Sequence, residues 1–201
     1  MSTDPETLAL YNARAGEYAQ LTAAARPGQL LRQFIAAMPP GGDVLDLGCG
    51  PGIDASHMAA AGLQVWATDA ASAMVDLAAN QPGVRAELAD FTTTLAKAPA
   101  ASLDGVWANF SLLHAPAADI PGHLAAIAQA LRPGGHLHIA LKTGQGSARD
   151  SLGRLYTYFT PPQLIGLVEA AGLQLLRRRD GQDMGLDGVP APWVALLAKR
   201  G

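Results

Sequence analysis

Eight residues, Leu45-Asp46-Leu47-Gly48-Cys49-Gly50-Pro51-Gly52, gather three glycines, a proline, the single cysteine and a carboxylate into a stretch too short to build a core. Glycines at alternate positions let a backbone turn tightly and come within van der Waals reach of a ligand. A helix starting just after them would turn its first free N–H groups to the same place. A dinucleotide site calls for G-x-G-x-x-G, whose third glycine admits close helix–strand packing. That position here is Ile53. Asp46 puts a negative charge where a pyrophosphate would lie, and opposite charge favours a ligand with a cationic amino-acid end instead. Two further acids, Asp69 and Asp90, close the next two apolar runs. A glycine loop can be a turn and nothing more, and Asp69 or Asp90 could each only cap a helix. An acid after each of three successive strands is what those plainer readings do not foresee.

These residues need a frame, and the chain alternates in a way that supplies one. Thr3 and Glu6 are spaced as a capping box for a helix that sets Tyr11 and Tyr18 on one face. A second helix, about 29–38, stops at Pro39-Pro40-Gly41-Gly42. Strands are expected at 44–47, 63–68, 84–88, 105–109 and 136–141, with helices at 53–61, 72–79, 124–131 and 161–171. Two late strands, 173–176 and 193–198, flank a Gly- and Asp-rich loop and would form a hairpin. Strand–helix alternation implies crossover units. The expected fold is α/β: a doubly wound, mostly parallel seven-stranded Rossmann-like sheet with one antiparallel strand from the C-terminal hairpin. A single domain is expected over 1–201, with residues 1–42 as a helical cap on a 43–201 core.

Composition narrows the functions. Of 201 residues 49% are hydrophobic and 15% charged, which describes a globular chain able to bury a core without staples. The net charge of −3 gives no overall attraction to nucleic acid or anionic membranes. The N-terminus MSTDPETLAL has no apolar signal segment, no run is long enough to span a bilayer, and lone Cys49 fits a reducing compartment. A cytoplasmic location is expected. The five histidines and the cysteine do not fall into metal-ligand spacing, so no metal is expected.

The glycine stretch resembles the first motif of the class I S-adenosylmethionine-dependent methyltransferases, and is most similar to small free-standing members that act on metabolites. The resemblance implies S-adenosyl-L-methionine as cofactor and extends over most of the chain. It implies that Asp46, Gly48, Cys49 and Gly50 meet the amino-acid end. Asp69, with Ala70 beside it, would accept from the ribose hydroxyls, Met74 would lie against the adenine, and Asp90-Phe91 would meet the adenine amine and cover the ring. Tyr11 and Tyr18 resemble the aromatic pair that small members fold over the cofactor, although ordinary amphipathic packing explains them equally. Asn109 falls where the family faces both methyl and acceptor. The Asn/Asp-Pro-Pro-aromatic run of base-methylating relatives is missing from Asn109-Phe110-Ser111-Leu112.

An activated methyl group needs mainly positioning, and a general base only if the acceptor must lose a proton. His114, Tyr11 and Lys142 are the candidates for that chemistry, with a buttressing role the plainer reading of His114. Residues 142–147 read as a flexible polar loop, followed by Arg149, Arg154, Tyr156 and Tyr158; the basic residues would suit an anionic or carboxylate group, although a solvated loop is the simpler account. A small molecule is the expected acceptor. Two rivals stand beside this reading: a nicotinamide-dependent oxidoreductase, and a cofactor-binding regulatory module without catalysis.

Overall fold

The computed structural model describes residues 4–22, 27–185 and 188–201, without the side chains of residues 21 and 22. Thr3, proposed above as a cap, lies outside the described residues. Asp4 caps in its place: its carboxylate accepts the Thr7 N–H and hydroxyl, both at 2.9 Å, at the start of α1 (Pro5–Thr22). The second helix, α2, spans Gln29–Ala36.

Thereafter strands and helices alternate as β1 (Asp43–Leu47), α3 (Ile53–Ala60), β2 (Gln64–Asp69), α4 (Ser72–Ala79), β3 (Val84–Leu88), α5 (Phe91–Lys97) and β4 (Leu103–Asn109). A short 3-10 turn (Leu112–His114), α6 (Ile120–Ala130) and β5 (Leu131–Lys142) follow. The remainder is β6 (Ser147–Arg149), β7 (Leu155–Thr157), α7 (Pro161–Ala170), β8 (Leu173–Met184) and β9 (Pro190–Arg200). Seven strands form one sheet in the order β3-β2-β1-β4-β5-β9-β8, and β9 runs antiparallel to both of its neighbours. Strand order reverses between β1 and β4, the place where open α/β sheets hold ligands beyond their carboxyl ends.

Side chains alternate across the sheet and divide the core into two layers. Leu45, Leu47, Val106 and Ala108 face α5, α6 and α7 through Leu95, Leu124, Ile127 and Leu164. Val44, Val65, Ala67 and Trp107 face the other side, where α2 and α3 contribute Phe34, Ala55 and Met58. Asp46 has the parity of Val44, so the pleat sends its carboxylate into that second layer. Helix α2 therefore packs on the sheet, whereas α1 packs mainly on α4, with Ala15 against Ala71 and Met74.

Three expectations need correction. The segment after Lys142 is not an unstructured loop: β6 and β7 pair as an antiparallel ribbon. The late hairpin is much longer than 173–176 and 193–198, because polar residues of an edge strand carry no alternation signal. A helix, α5, follows Asp90 and was not expected. Its seven residues are too few for a periodicity to show.

Gly52 packs helices rather than a ligand. With φ at +78°, a Cβ there would lie 2.8 Å from the Ala78 Cα of α4. Gly52→Ala is expected to cost about 2–4 kcal/mol through backbone strain and overpacking. Gly50→Ala, with φ +53° and no atom nearer than 3.8 Å, is expected to cost about 1 kcal/mol for the conformation alone. Urea denaturation of the two variants checks the ordering.

Candidate functional site

The loop after β1 is tied to the end of β2. The Gly48 and Cys49 N–H groups both donate to the Thr68 carbonyl, at 2.8 and 2.9 Å. The Gly50 N–H donates to Asp69 Oδ2 at 2.9 Å, and Ala71 N–H to Asp69 Oδ1 at 2.9 Å. These amides are thus spent inside the protein and form no phosphate cradle. Only part of the glycine content serves the cavity. A Cβ on Gly48 would meet the Ser111 Cβ at 2.4 Å, and Gly52 packs on α4, which leaves Gly50 turned toward Tyr18.

Above this loop is a cavity of about 270 Å³. Asp46, Gly48, Cys49, Gly50, Asp69, Ala70, Met74 and Phe91 line it. Tyr11, Tyr18, Asn109 and His114 also reach it. Two of the residues singled out from the sequence do not. Asp90 caps α5, accepting the Thr93 N–H at 2.8 Å, and Lys142 lines a neighbouring cavity, its ammonium 4.3 Å from the Tyr156 ring centroid.

Asp46 is the most telling group. It is 3% exposed, and its buried Oδ2 has no hydrogen-bond partner among the described residues. Burial first, then the negative charges of Asp54 and Asp69, push its carboxyl well above the ordinary range. A buried acceptor left unpaired costs free energy that a donor, above all a cationic one, would recover. Burial raises Asp69 as well, opposed by the backbone N–H groups it accepts. The cavity is therefore acidic at Asp46, Asp54 and Asp69 and apolar beside Met74 and Phe91.

Asp54 is a residue that the sequence reading passed over. It sits in the first turn of α3, where an acid is favoured by the helix dipole. Its Oδ2 accepts from Trp107 Nε1 at 2.9 Å and Asn109 Nδ2 at 3.4 Å. The Asn109 Oδ1 in turn accepts from His138 Nε2 at 3.2 Å, and His138 stacks on Trp107 at 3.7 Å. Burial holds His138 down at about 3, so it stays neutral and fixes the Asn109 amide from below. The acid two residues after the loop was a legible signal; the histidine and tryptophan were separated from it by too much chain.

His114 also has both ring nitrogens engaged. Its Nδ1 is 2.9 Å from the Leu155 carbonyl, which can only accept, so Nδ1 carries the proton. Nε2 then accepts the Tyr11 hydroxyl at 2.9 Å. Burial lowers the ring to about 4, so it is neutral at physiological pH. In this geometry His114 clips α1 to β7. Other bonds stitch the same seam: the Leu155 N–H donates to Thr7 Oγ1 at 2.8 Å, and Arg149 pairs with Asp4 at 2.8 Å. Arg154 pairs with Asp150, both almost wholly buried. The two arginines thus hold the cap together, where the sequence suggested contact with an anion.

An open α/β sheet with a glycine loop at its switch point and an acid ending the next strand defines the Rossmann-like class of nucleotide-binding domains. Residues 44–135 match the family model described as a methyltransferase domain. Over those residues the chain is similar to methyltransferases. It is 31% identical over 156 residues to a ubiquinone biosynthesis O-methyltransferase of Xanthomonas axonopodis pv. citri (strain 306), covering 68% of this chain. That match spans 64% of the relative's length. Among solved structures it resembles a 1,6-didemethyltoxoflavin-N1-methyltransferase of Burkholderia thailandensis, with bound 1,6-didemethyltoxoflavin and S-adenosylhomocysteine. The TM-score is 0.74 at 21% identity, covering 97% of this chain and 87% of the other. It is also similar to the cyclase SpnF, with a TM-score of 0.77 at 17% identity and coverage of 98% and 97%. No helix among the described residues is long and apolar enough to cross a membrane.

A carboxyl whose pKa rises on folding destabilises the fold as pH climbs from its unfolded value of about 3.9 toward the folded one. Asp46→Asn removes that effect. Without ligand, the variant is expected to resist urea better than the parent chain at pH 7, with the difference closing toward pH 4; tryptophan fluorescence at the two pH values reads it.

Proposed function

We propose that this chain binds S-adenosyl-L-methionine and transfers its methyl group to a small-molecule acceptor. The observation that carries the reading is the buried Asp46 oxygen, unpartnered among the described residues, in a cavity that Met74 and Phe91 also line. A ligand cationic at one end and aromatic at the other answers both needs. The alternative of a bound pyrophosphate is disfavoured by the same carboxylate and by the engaged Gly48, Cys49 and Gly50 amides.

S-adenosylmethionine, when bound, supplies a methyl group already activated by a positively charged sulfur. In this proposal Asp46 meets the amino end and Gly50 gives the close backbone approach. Asp69, already fixed by two backbone N–H donors, accepts from the ribose hydroxyls with its remaining lone pairs. Met74 and Phe91 flank the adenine, and Asn109, held by Asp54 and His138, faces the reacting centre.

Tyr11 and Tyr18 close the cavity from above, edge to face at 6.3 Å, and exclude water there. Burial raises the Tyr11 hydroxyl above its ordinary range, and His114 is held too low to be an effective base at neutral pH. The rate enhancement then rests on placing the acceptor in line with the methyl group, which supplies up to about 7–11 kcal/mol in well-oriented systems. A small acceptor fits the enclosed setting, and the Burkholderia structure holds a small acceptor together with S-adenosylhomocysteine.

Calorimetry with S-adenosylhomocysteine and NAD(H) side by side tests the reading: binding of the first alone is expected, and binding of NAD(H) alone would end it. Asp69→Ala is expected to weaken S-adenosylhomocysteine by about 1–3 kcal/mol through lost charge-assisted bonds. An unchanged dissociation constant would remove Asp69 from the ribose role.

A further inference from the structure

A second cavity, of about 220 Å³, shares Tyr11, Tyr18, Phe110 and His114 with the first. Part of its lining comes from Trp193 and from Asp183, Met184 and Ala191, in the stretch of β8 and β9 that overruns the sheet. Pairing of β5 with β9 ends at Lys142↔Trp193, whereas β8 and β9 continue through Asp183↔Ala191 to Met184↔Pro190. A hairpin needs no such overhang to complete the sheet, so the extension calls for its own explanation.

The wall is specifically shaped around one indole. A Cβ on Gly181 would come within 2.2 Å of the Trp193 ring, so the missing side chain is what seats the tryptophan. The Trp193 N–H donates to Asp183 Oδ2 at 2.7 Å, which fixes the ring's orientation. Phe110 meets it edge to face at 6.1 Å. Phe110 itself has φ +54°, a left-handed conformation that a bulky side chain adopts only when its surroundings enforce it. Across the cavity Tyr156 presents another ring, 4.9 Å from His114 and beneath the Lys142 ammonium.

We propose, on the basis of the methyl-transfer reading above, that this second cavity receives the acceptor and that the acceptor is a planar aromatic molecule held against Trp193, Phe110 and Tyr156. Rigid aromatic walls reward a flat ring beyond the area it buries, through offset and edge-to-face contacts, and give a puckered saturated ring much less. The volume sits below the roughly 300–1,000 Å³ of sites for drug-sized ligands, which suits one small ring system with short substituents. Tyr11 and Tyr18 stand between the two cavities, so a ring in the second lies next to whatever occupies the first.

Catechol and its saturated counterpart cyclohexane-1,2-diol serve as probes, titrated by calorimetry into the full chain with and without saturating S-adenosylhomocysteine. Catechol is expected to bind at least tenfold more tightly than the diol. Trp193→Ala is expected to erase that preference and Trp193→Phe to keep most of it, with S-adenosylhomocysteine affinity within twofold of the parent in both. Circular dichroism confirms folding, and Phe110→Leu, expected to reduce the preference severalfold, replaces any variant that fails. Equal affinity for the two probes, binding of neither, or a preference that survives Trp193→Ala overturns the proposal. Loss of S-adenosylhomocysteine binding with the aromatic preference intact would instead overturn the methyl-transfer reading and leave the aromatic site standing.

Discussion

The β1–β2 tie fixes the rest of the site. Thr68 gives its carbonyl to two loop amides and Asp69 gives one carboxylate oxygen to a third, so the loop cannot move independently of the strand beside it. From this one constraint follow the position of Gly50 at the cavity, the close seat of Gly48 on Ser111, and the depth at which Asp46 is buried. It also removes the loop's N–H groups from ligand duty, which turns the site away from phosphate and toward a ligand read by carboxylates.

Burial raises Asp46, Asp54 and Asp69 alike, and the charges of Asp54 and Asp69 raise Asp46 further. Such a cluster destabilises the empty protein, and binding a cation there relieves it. Strain of this kind concentrates where a protein acts. Phe110 repeats the pattern at the junction of the two cavities, and the buried Arg154–Asp150 pair holds the neighbouring cap in one geometry. The cap is thus rigidly sewn to the sheet's far loops, through Asp4, Thr7 and Tyr11, although these residues are far from their partners in sequence.

Likeness of fold does not by itself supply a reaction. The chain superposes as well on the cyclase SpnF as on a methyltransferase, so fold alone does not choose between them. What bears on the reaction is local: the polarity of the first cavity, the neutral His114 already bonded on both nitrogens, and the aromatic wall of the second.

Alternating apolar runs and glycine breaks were enough, by themselves, to set out the strand–helix order, the seven-stranded sheet with its antiparallel insertion and the loop that opens the site, because these signals are local and repeat with a period the backbone imposes. Asp46 and Asp69, which line one cavity, stood out for the same reason: each is a charged residue within or ending an apolar run. Asp90 obeys the same rule and also caps a helix, which a seven-residue segment leaves no pattern to announce. Tertiary structure alone decided the rest. Asp54, Trp107, Asn109 and His138 meet only when two strands and a helix are assembled, and His114 becomes a clip only when Leu155 and Tyr11 reach its two ring nitrogens. The overhanging hairpin that sets Trp193 against Phe110 is invisible in sequence, since its polar residues are held by cross-strand backbone bonds, and backbone bonds carry no side-chain signature.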